Sequence, residues 1–200
     1  APALRGASLP NKTQRAPDAS PAGKIILRKR DRTGKTWYDK GKPFSGPGRP
    51  YFEIEVFILM EIRAAVPEDI PSLLALYKGL FAEAAQIQPY NFRPAEQSEE
   101  FLKQVMADPS SALLTAVSEG KPVGFALLRE LRTPSAPCLT PHRFAALEDL
   151  AVAPELRGVG VGSSLLDAAK DWARSRGLDY LELNVLAENT QAKRLYERNG

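Results

Sequence analysis

Residues 157–162, Arg157-Gly158-Val159-Gly160-Val161-Gly162, place three alternating glycines between a predicted strand and a predicted helix. Because glycine has no Cβ atom, its backbone can adopt positive φ angles and approach a ligand closely. The free N–H groups in the first turn of a helix, together with the helix dipole, form an anion site. The stretch therefore predicts a loop that binds a pyrophosphate group.

Two other nucleotide-binding loops do not fit this stretch. The dinucleotide fingerprint G-x-G-x-x-G would need a glycine at Ser163 or at Leu165. The P-loop would need a lysine after its last glycine, but Gly162 is followed by Ser163-Ser164. A glycine-rich turn that binds no ligand remains the alternative at this point.

The sequence around the loop predicts nine elements in the order β-α-α-β-β-β-α-β-α. Apolar residues recur at helical spacing in some segments and alternate in others, and turn residues separate the segments. Hairpins early in the chain and a strand-helix-strand unit late in it indicate an α/β fold with a mixed, mostly antiparallel central sheet and flanking helices. The predicted strands are 60–65, 113–117, 123–132, 144–153 and 180–186, and the predicted helices begin at Pro67, span 97–107 and 163–176, and begin again at Asn189 or Thr190.

The spacing Arg-x-x-Gly-x-Gly at Arg157, Gly160 and Gly162 resembles the acyl-CoA loop of the GNAT acyltransferase superfamily. The resemblance covers residues 60–200 and includes the preceding segment 148–155 and the following helix segment 189–200. It implies the acyl-CoA N-acyltransferase fold, with acetyl-CoA as co-substrate and no metal. It also implies transfer of an acetyl group to a primary amine by direct attack within a ternary complex.

The resemblance further implies which residues contact the cofactor. In this family the backbone of the strand before the loop pairs with the pantetheine arm, and the loop amides bind the pyrophosphate. The Asn189 side chain faces the cofactor arm, although an asparagine there also suits a plain helix N-cap. The Arg157 side chain either adds positive charge or is a solvated surface group. The implied positions are Leu150, Ala151 and Val152 in the strand, Arg157, Gly158, Val159, Gly160, Val161, Gly162 and Ser163 in the loop, and Asn189.

Tyr196 matches the tyrosine that can protonate the departing thiolate in this family. A phenol with a pKa of about 10 keeps its proton at pH 7 and can give it to a thiolate. The acceptor amine must lose a proton, and Glu148 and Asp149 are carboxylates beside the cofactor strand. In a regular strand the two point to opposite faces, and we expect Glu148 to be the catalytic base. His142, in a proline-flanked loop, is a weaker candidate for this role.

Residues 1–59 differ in composition from the rest of the chain. They contain 12 Lys and Arg against 5 Asp and Glu, whereas residues 60–200 contain 15 and 19. Strand character is limited to residues 24–28 and 51–59. We expect a basic, Pro/Gly-rich extension that is disordered or not native to the domain, with the domain beginning near Met60. An ordered module or a nucleic-acid-binding arm is the alternative, so nucleic acid is expected as a partner only through this extension.

Composition also excludes several classes of protein. The single cysteine, Cys138, and the single histidine, His142, exclude a disulfide framework, a cysteine zinc site and a multi-histidine metal site. Without an apolar run of roughly 18 residues or a signal core, we expect no membrane partner and a cytoplasmic location. The expected partners are a small-molecule or peptide amine and, as an option, a second copy of the chain in a homodimer.

Sequences of the GNAT superfamily usually continue beyond the position of Gly200 with an aromatic residue and a final pair of strands. We therefore expect the last strands of the sheet to be missing and residues 60–200 to form a domain that is incomplete at its C-terminus. Three functional alternatives remain open. They are an acyltransferase with another acyl donor or an alcohol acceptor, a non-catalytic CoA-binding module, and an acetyltransferase tethered to nucleic acid by residues 1–59.

Overall fold

The computed structural model describes residues 24–28 and 57–200, and for residues 24–28, 57 and 58 it describes the backbone only. The described part contains one six-stranded sheet in the order β1-β2-β3-β4-β5-β6, together with four α-helices and two short 3-10 helices. Neighbouring strands are antiparallel except β5 and β6, which are parallel. The strands are β1 Lys24–Arg28, β2 Phe57–Ala64, β3 Ser111–Ser118, β4 Lys121–Arg132, β5 Arg143–Val152 and β6 Tyr180–Leu183, and the helices are α1 Ile70–Ile87, α2 Glu99–Ala107, α3 Val161–Ser175 and α4 Thr190–Asn199.

Helices α1 and α2 cover one face of the sheet. Helix α1 buries Ile70, Leu73 and Tyr77, which recur every three to four residues and so form one stripe. Helix α2 buries Leu102 and Val105 against the same layer. The sheet residues beneath them are Leu113, Phe125, Leu127 and Ala151.

Helix α3 covers the opposite face and connects the parallel strands β5 and β6, as a crossover helix must. Its buried stripe comprises Val161, Leu165, Leu166, Ala169 and Ala173. The small residues in this stripe let the helix lie close to the sheet. After the helix, Gly177 has a φ of 62°, which suits a residue that ends a helix in the left-handed region.

A β-bulge interrupts β5 at Glu148. Leu127 of β4 pairs with Asp149, but the next residue, Leu128, pairs with Leu147, so Glu148 is an extra residue without a partner on β4. The bulge reverses the alternation of side chains along β5. Leu147 packs on the α3 face before the bulge, whereas Asp149 beyond it faces α1 and α2.

Most predicted elements are confirmed, with small differences in their ends. The mixed, mostly antiparallel α/β fold is the one expected, and a strand does occupy residues 24–28. Strand β2 begins at Phe57, three residues before the predicted start, and β6 ends at Leu183, three residues before the predicted end. Of the predicted strand at residues 51–59, only the part from Phe57 onward is described, as the start of β2, and most of the basic extension lies outside the described residues. In residues 57–200 and the strand before them, no helix is long and apolar enough to cross a membrane.

Candidate active site

A cleft opens where strands β5 and β6 separate. Pairing between β5 and β6 ends at Leu147 and Leu183, whereas pairing between β5 and β4 continues to Val152. The backbone of residues 150–152 therefore has no partner on its β6 side within the described part of the chain. A parallel pair that splits in this way leaves N–H and C=O groups available to a ligand.

The cleft has a volume of about 680 Å³ and lies between the open edge of β5, the glycine loop, helix α4 and the C-terminal half of α1. Most of the residues that the sequence analysis assigned to the cofactor line this cleft. Val159 and Val161 do not line it, because their side chains pack into the core on the α3 face. The predicted residues that line the cleft are Leu150, Ala151, Val152, Arg157, Gly158, Gly160, Gly162, Ser163, Asn189 and Tyr196.

A different structural feature accounts for glycine at each position of the loop. Gly158 and Gly160 have φ angles of 77° and 107°, in the region that favours glycine. Gly162 lies against α4, because a Cβ atom there would come within 3.1 Å of the Leu195 Cδ2 atom. Helix α3 starts directly after Gly160 without a side-chain cap, and its first backbone bond is donated by Ser164 N to the Gly160 carbonyl at 3.0 Å. The N–H groups of the first turn are thus available for an anion in the cleft.

The Arg157 side chain is a brace. Its Nε donates to the Val152 carbonyl at 2.9 Å, and its Nη2 donates to Glu83 Oε1 at 2.6 Å. These bonds connect the loop to the end of β5 and to helix α1. This arrangement corrects the expectation of a solvated surface group, whereas the side chain still lines the cleft in which the cofactor was expected.

Asn189 is the N-cap of α4. Its side-chain oxygen accepts a hydrogen bond from the Ala192 N–H at 3.0 Å, as the cap prediction required. The same residue lines the cleft, so the cap and a contact with a ligand are compatible.

Tyr196 lies on the same helix, with a half-buried side chain that lines the cleft. Burial, with a smaller contribution from the negative charge of Asp149, raises the pKa of the Tyr196 phenol to about 12. The phenol is therefore protonated throughout the physiological pH range. The Asp149 carboxylate is near enough to Tyr196 for its charge to matter.

The two carboxylates on β5 have different partners. Because of the bulge, both reach the face covered by α1 and α2, which corrects the expectation that they point to opposite faces. Glu148 is exposed and accepts a hydrogen bond from Arg129 Nε at 2.8 Å. Asp149 accepts a hydrogen bond from the Tyr77 hydroxyl at 3.0 Å, and burial raises the pKa of its carboxyl group. Neither carboxylate lines the cleft directly, but Asp149 precedes Leu150, which does, and its charge acts on the Tyr196 phenol, so Asp149 is the better placed of the two.

His142 lies just before the first residue of β5, whereas the cleft is at the other end of that strand. Its Nδ1 atom is 3.2 Å from Asp179 Oδ2, and its ring contacts Tyr180 edge-on. This position corrects the expectation that His142 could serve as the base. Among the described residues, no group of three or more His, Cys, Asp or Glu side chains could hold a metal ion.

Sequence reasoning assigned no individual role to several residues around the cleft. Leu80 and Glu83 of α1 line it, and so do polar residues of α4 such as Arg194 and Arg198. Tyr77 follows the apolar spacing of the first predicted helix, and its hydroxyl was assigned no role. A tyrosine at a core position normally needs a partner for its hydroxyl, and that requirement was the available signal.

Comparison with known proteins identifies the family. The sequence model of the Acetyltransferase (GNAT) family matches residues 77–200. The uncharacterized N-acetyltransferase YhfO of Bacillus subtilis (strain 168) is 33% identical over 144 residues, covering 70% of this chain and 89% of that protein. An aminoglycoside N(6')-acetyltransferase type 1 of Stenotrophomonas maltophilia is 31% identical over 140 residues, covering 70% of this chain and 84% of that protein.

A solved structure has the same fold. Aminoglycoside N-acetyltransferase AAC(6')-Iy in complex with CoA superposes with a TM-score of 0.55 at 19% identity, covering 70% of this chain and 89% of that one. The resemblance carried by the glycine loop and the last helix is thus confirmed, as is the prediction of an acyltransferase. The chain belongs to the GNAT family of acetyltransferases.

Proposed function

We propose that this protein transfers an acetyl group from acetyl-CoA to the amino group of a small molecule, by direct attack of the amine on the thioester. One observation carries the proposal. A single cleft brings together the first turn of α3, the open backbone edge of β5 and the Tyr196 phenol. These are a site for phosphate, a strand edge for an amide-containing arm and a proton donor. Acyl-CoA has a pyrophosphate, two amide groups and a thioester in the matching order.

The chain's own groups bind the donor in three places. The N–H groups after Gly160 bind the pyrophosphate, because they are free and the helix dipole adds to them. The backbone of residues 150–152 pairs with the pantetheine amides. Arg194 and Arg198, on the wall formed by α4, add positive charge near the phosphates.

Tyr196 acts as the general acid. A phenol with a pKa of about 12 holds its proton at neutral pH and matches a thiolate that is forming in the cleft. As the new C–N bond forms, the C–S bond breaks and its electron pair stays on sulfur. The sulfur takes the phenol proton, and the proton lost from nitrogen as the amide forms restores the phenol.

Asp149 acts as the base in this proposal, in place of Glu148. The acceptor arrives as an ammonium ion and must lose a proton before its nitrogen can attack. The half-buried Asp149 carboxylate, whose pKa is raised, accepts that proton directly or through water and passes it to solvent. Glu148 is exposed and forms an ion pair with the Arg129 guanidinium instead.

Relatives support a small-molecule acceptor. Besides the enzyme from Stenotrophomonas maltophilia, an aminoalkylphosphonate N-acetyltransferase of Salmonella typhimurium is 27% identical over 147 residues. The names of both describe amines of low molecular mass. A peptide amine is the second option, and a lysine peptide in the assay separates the two.

The test measures release of free thiol from acetyl-CoA in the presence of sisomicin, aminomethylphosphonate, spermidine or a lysine peptide. We expect thiol release with at least one small amine, and a decrease of roughly 100-fold to 10,000-fold in kcat for Tyr196→Phe. Tyr180→Phe, which removes a phenol outside the cleft, is the control and should retain full activity. Stabilisation by acetyl-CoA without thiol release would instead identify a non-catalytic CoA-binding module.

A further inference from the structure

We propose that Tyr77 is a positioning residue for the reaction: its phenol holds the Asp149 carboxylate in place through Oδ2 and leaves Oδ1 to take the proton of the acceptor amine. This inference rests on the proposed function, because it assigns Asp149 the role of base. It adds a residue from helix α1, 72 positions away along the chain, to the catalytic apparatus.

The position of the Tyr77 ring is fixed on several sides. The residue is 0% exposed. Its ring centroid lies 4.4 Å from that of Phe125, 5.5 Å from that of Phe81 and 6.4 Å from that of Phe101. The hydroxyl of the enclosed phenol donates a hydrogen bond to Asp149 Oδ2 at 3.0 Å.

Packing alone does not explain the hydroxyl. A phenylalanine would fill the same aromatic enclosure without placing a polar atom in it, and a buried hydroxyl is unfavourable unless it is hydrogen-bonded. The partner is unusual too, because Asp149 is half-buried and the hydrogen-bond donor to its carboxylate is a neutral phenol. Phenol and carboxylate therefore depend on each other, and Leu150, the residue after Asp149, lines the cleft.

The charges around Asp149 explain why a neutral donor is suited to this place. Burial and the negative charge of Glu148 raise the pKa of Asp149, whereas the Tyr77 hydrogen bond and the more distant Arg129 lower it. Arg129 is itself bonded to Glu148, and Tyr196 approaches from α4. An arginine bonded directly to Asp149 would make it a weak base. A phenol favours the charged form of the carboxylate and orients it, while leaving it more basic than an arginine would.

The experiment compares Tyr77→Phe with the wild type in the pH dependence of kcat/KM for sisomicin or, if sisomicin is not acetylated, for spermidine. Loss of the hydrogen bond removes a contact that favours the charged carboxylate, so the pKa of Asp149 rises. The acid limb should move to higher pH by roughly one unit, which lowers kcat/KM about tenfold on that limb. The KM for acetyl-CoA should stay the same. Tyr180→Phe is the matched control, and its pH profile should coincide with that of the wild type.

If Tyr77 had only a structural role, a different pH dependence would be expected. The rate would then fall by the same factor at every pH, or not at all, and either outcome overturns the inference. If Tyr77→Phe does not fold, Asp149→Asn tests the same contact from the other side. It retains an acceptor for the Tyr77 hydroxyl but cannot titrate, so the acid limb should disappear. An acid limb that persists in Asp149→Asn contradicts the inference.

A second readout separates failure of this inference from failure of the proposed function. Carbon-13 NMR of the aspartate carboxyl groups, with the Asp149 signal identified by its loss in Asp149→Asn, gives the pKa of Asp149 in wild type and in Tyr77→Phe. If thiol is released but neither this pKa nor the acid limb changes, the inference alone is wrong. If no amine supports thiol release although the pKa of Asp149 changes, the proposed function is wrong and the catalytic role of Tyr77 is withdrawn with it.

Discussion

Strand β5 pairs with its two neighbours in very different ways. On one side, β2, β3, β4 and β5 form what we call the closed half, where β4 and β5 pair along almost their whole length with one bulge. On the other side is the split half, made of β5, β6, α3 and α4, where β5 and β6 pair over only four positions. The same strand thus completes a core on one edge and exposes its backbone on the other.

The difference explains where the chemistry lies. Both halves contribute to the core, but only the split half leaves backbone groups and a helix N-terminus beside an open volume. The closed half contributes through the bulge, which turns Asp149 towards the aromatic side chains under α1. The candidate site therefore combines a continuously paired half that holds a carboxylate with a divided half that leaves room for a ligand.

Two matched leucine substitutions test whether the closed half provides most of the stability. Leu127 of β4 is fully buried in the closed half, whereas Leu183 of β6 is only partly buried in the split half. We expect Leu127→Ala to lower the free energy of unfolding by about 2–5 kcal/mol and Leu183→Ala by about 1 kcal/mol. Urea denaturation followed by circular dichroism measures both. Equal losses in the free energy of unfolding would show that the two halves contribute equally to stability, which would contradict the expected difference.

Two glycines at opposite ends of α3 test the role of the loop. Gly158 and Gly177 have φ angles of 77° and 62°, and at neither would an added Cβ meet another atom within 4 Å. An alanine at either position costs about 1–2 kcal/mol of backbone strain. Only Gly158 lines the cleft, so we expect Gly158→Ala to raise the Kd for CoA about tenfold and Gly177→Ala to leave it unchanged. Isothermal titration with CoA distinguishes them, and an equal change in both Kd values would mean that strain in α3 controls affinity.

The loop was predictable because its requirements are local. Positive φ at Gly158 and Gly160, and free N–H groups at a helix start, follow from a few consecutive residues. The bulge at Glu148 was not predictable, since it depends on which residues of β4 the strand pairs with. The regular alternation of side chains in a strand without a bulge therefore predicted the wrong face of the sheet for one of the two carboxylates. The end of β6 likewise depends on pairing, since its alternating residues continue to Val185 although pairing with β5 ends at Leu183.

The contact between Tyr77 and Asp149 shows a further limit of sequence reasoning. The two residues belong to elements that meet only in the folded sheet, and each has an ordinary explanation by itself, as a core aromatic residue and as a strand carboxylate. Because they are 72 positions apart in the sequence, no helix or strand periodicity links them. By contrast, Asn189 was identified as a helix cap because its partner, the Ala192 N–H, lies three residues away.

The smallest expected effect concerns the ion pair between Arg157, in the glycine loop before α3 of the split half, and Glu83 of helix α1, at 2.6 Å. The side chains are 28% and 41% exposed, so the pair contributes only about 0–1 kcal/mol. If Arg157 serves as a brace, Glu83→Gln loosens the loop and the KM for acetyl-CoA rises by up to about fivefold. If its charge serves the phosphates, the substitution frees that charge and KM falls. Glu99→Gln, which breaks the exposed pair with Lys103 on α2, is the control and should not change KM. The direction of the change, more than its size, decides whether the split half is supported from α1.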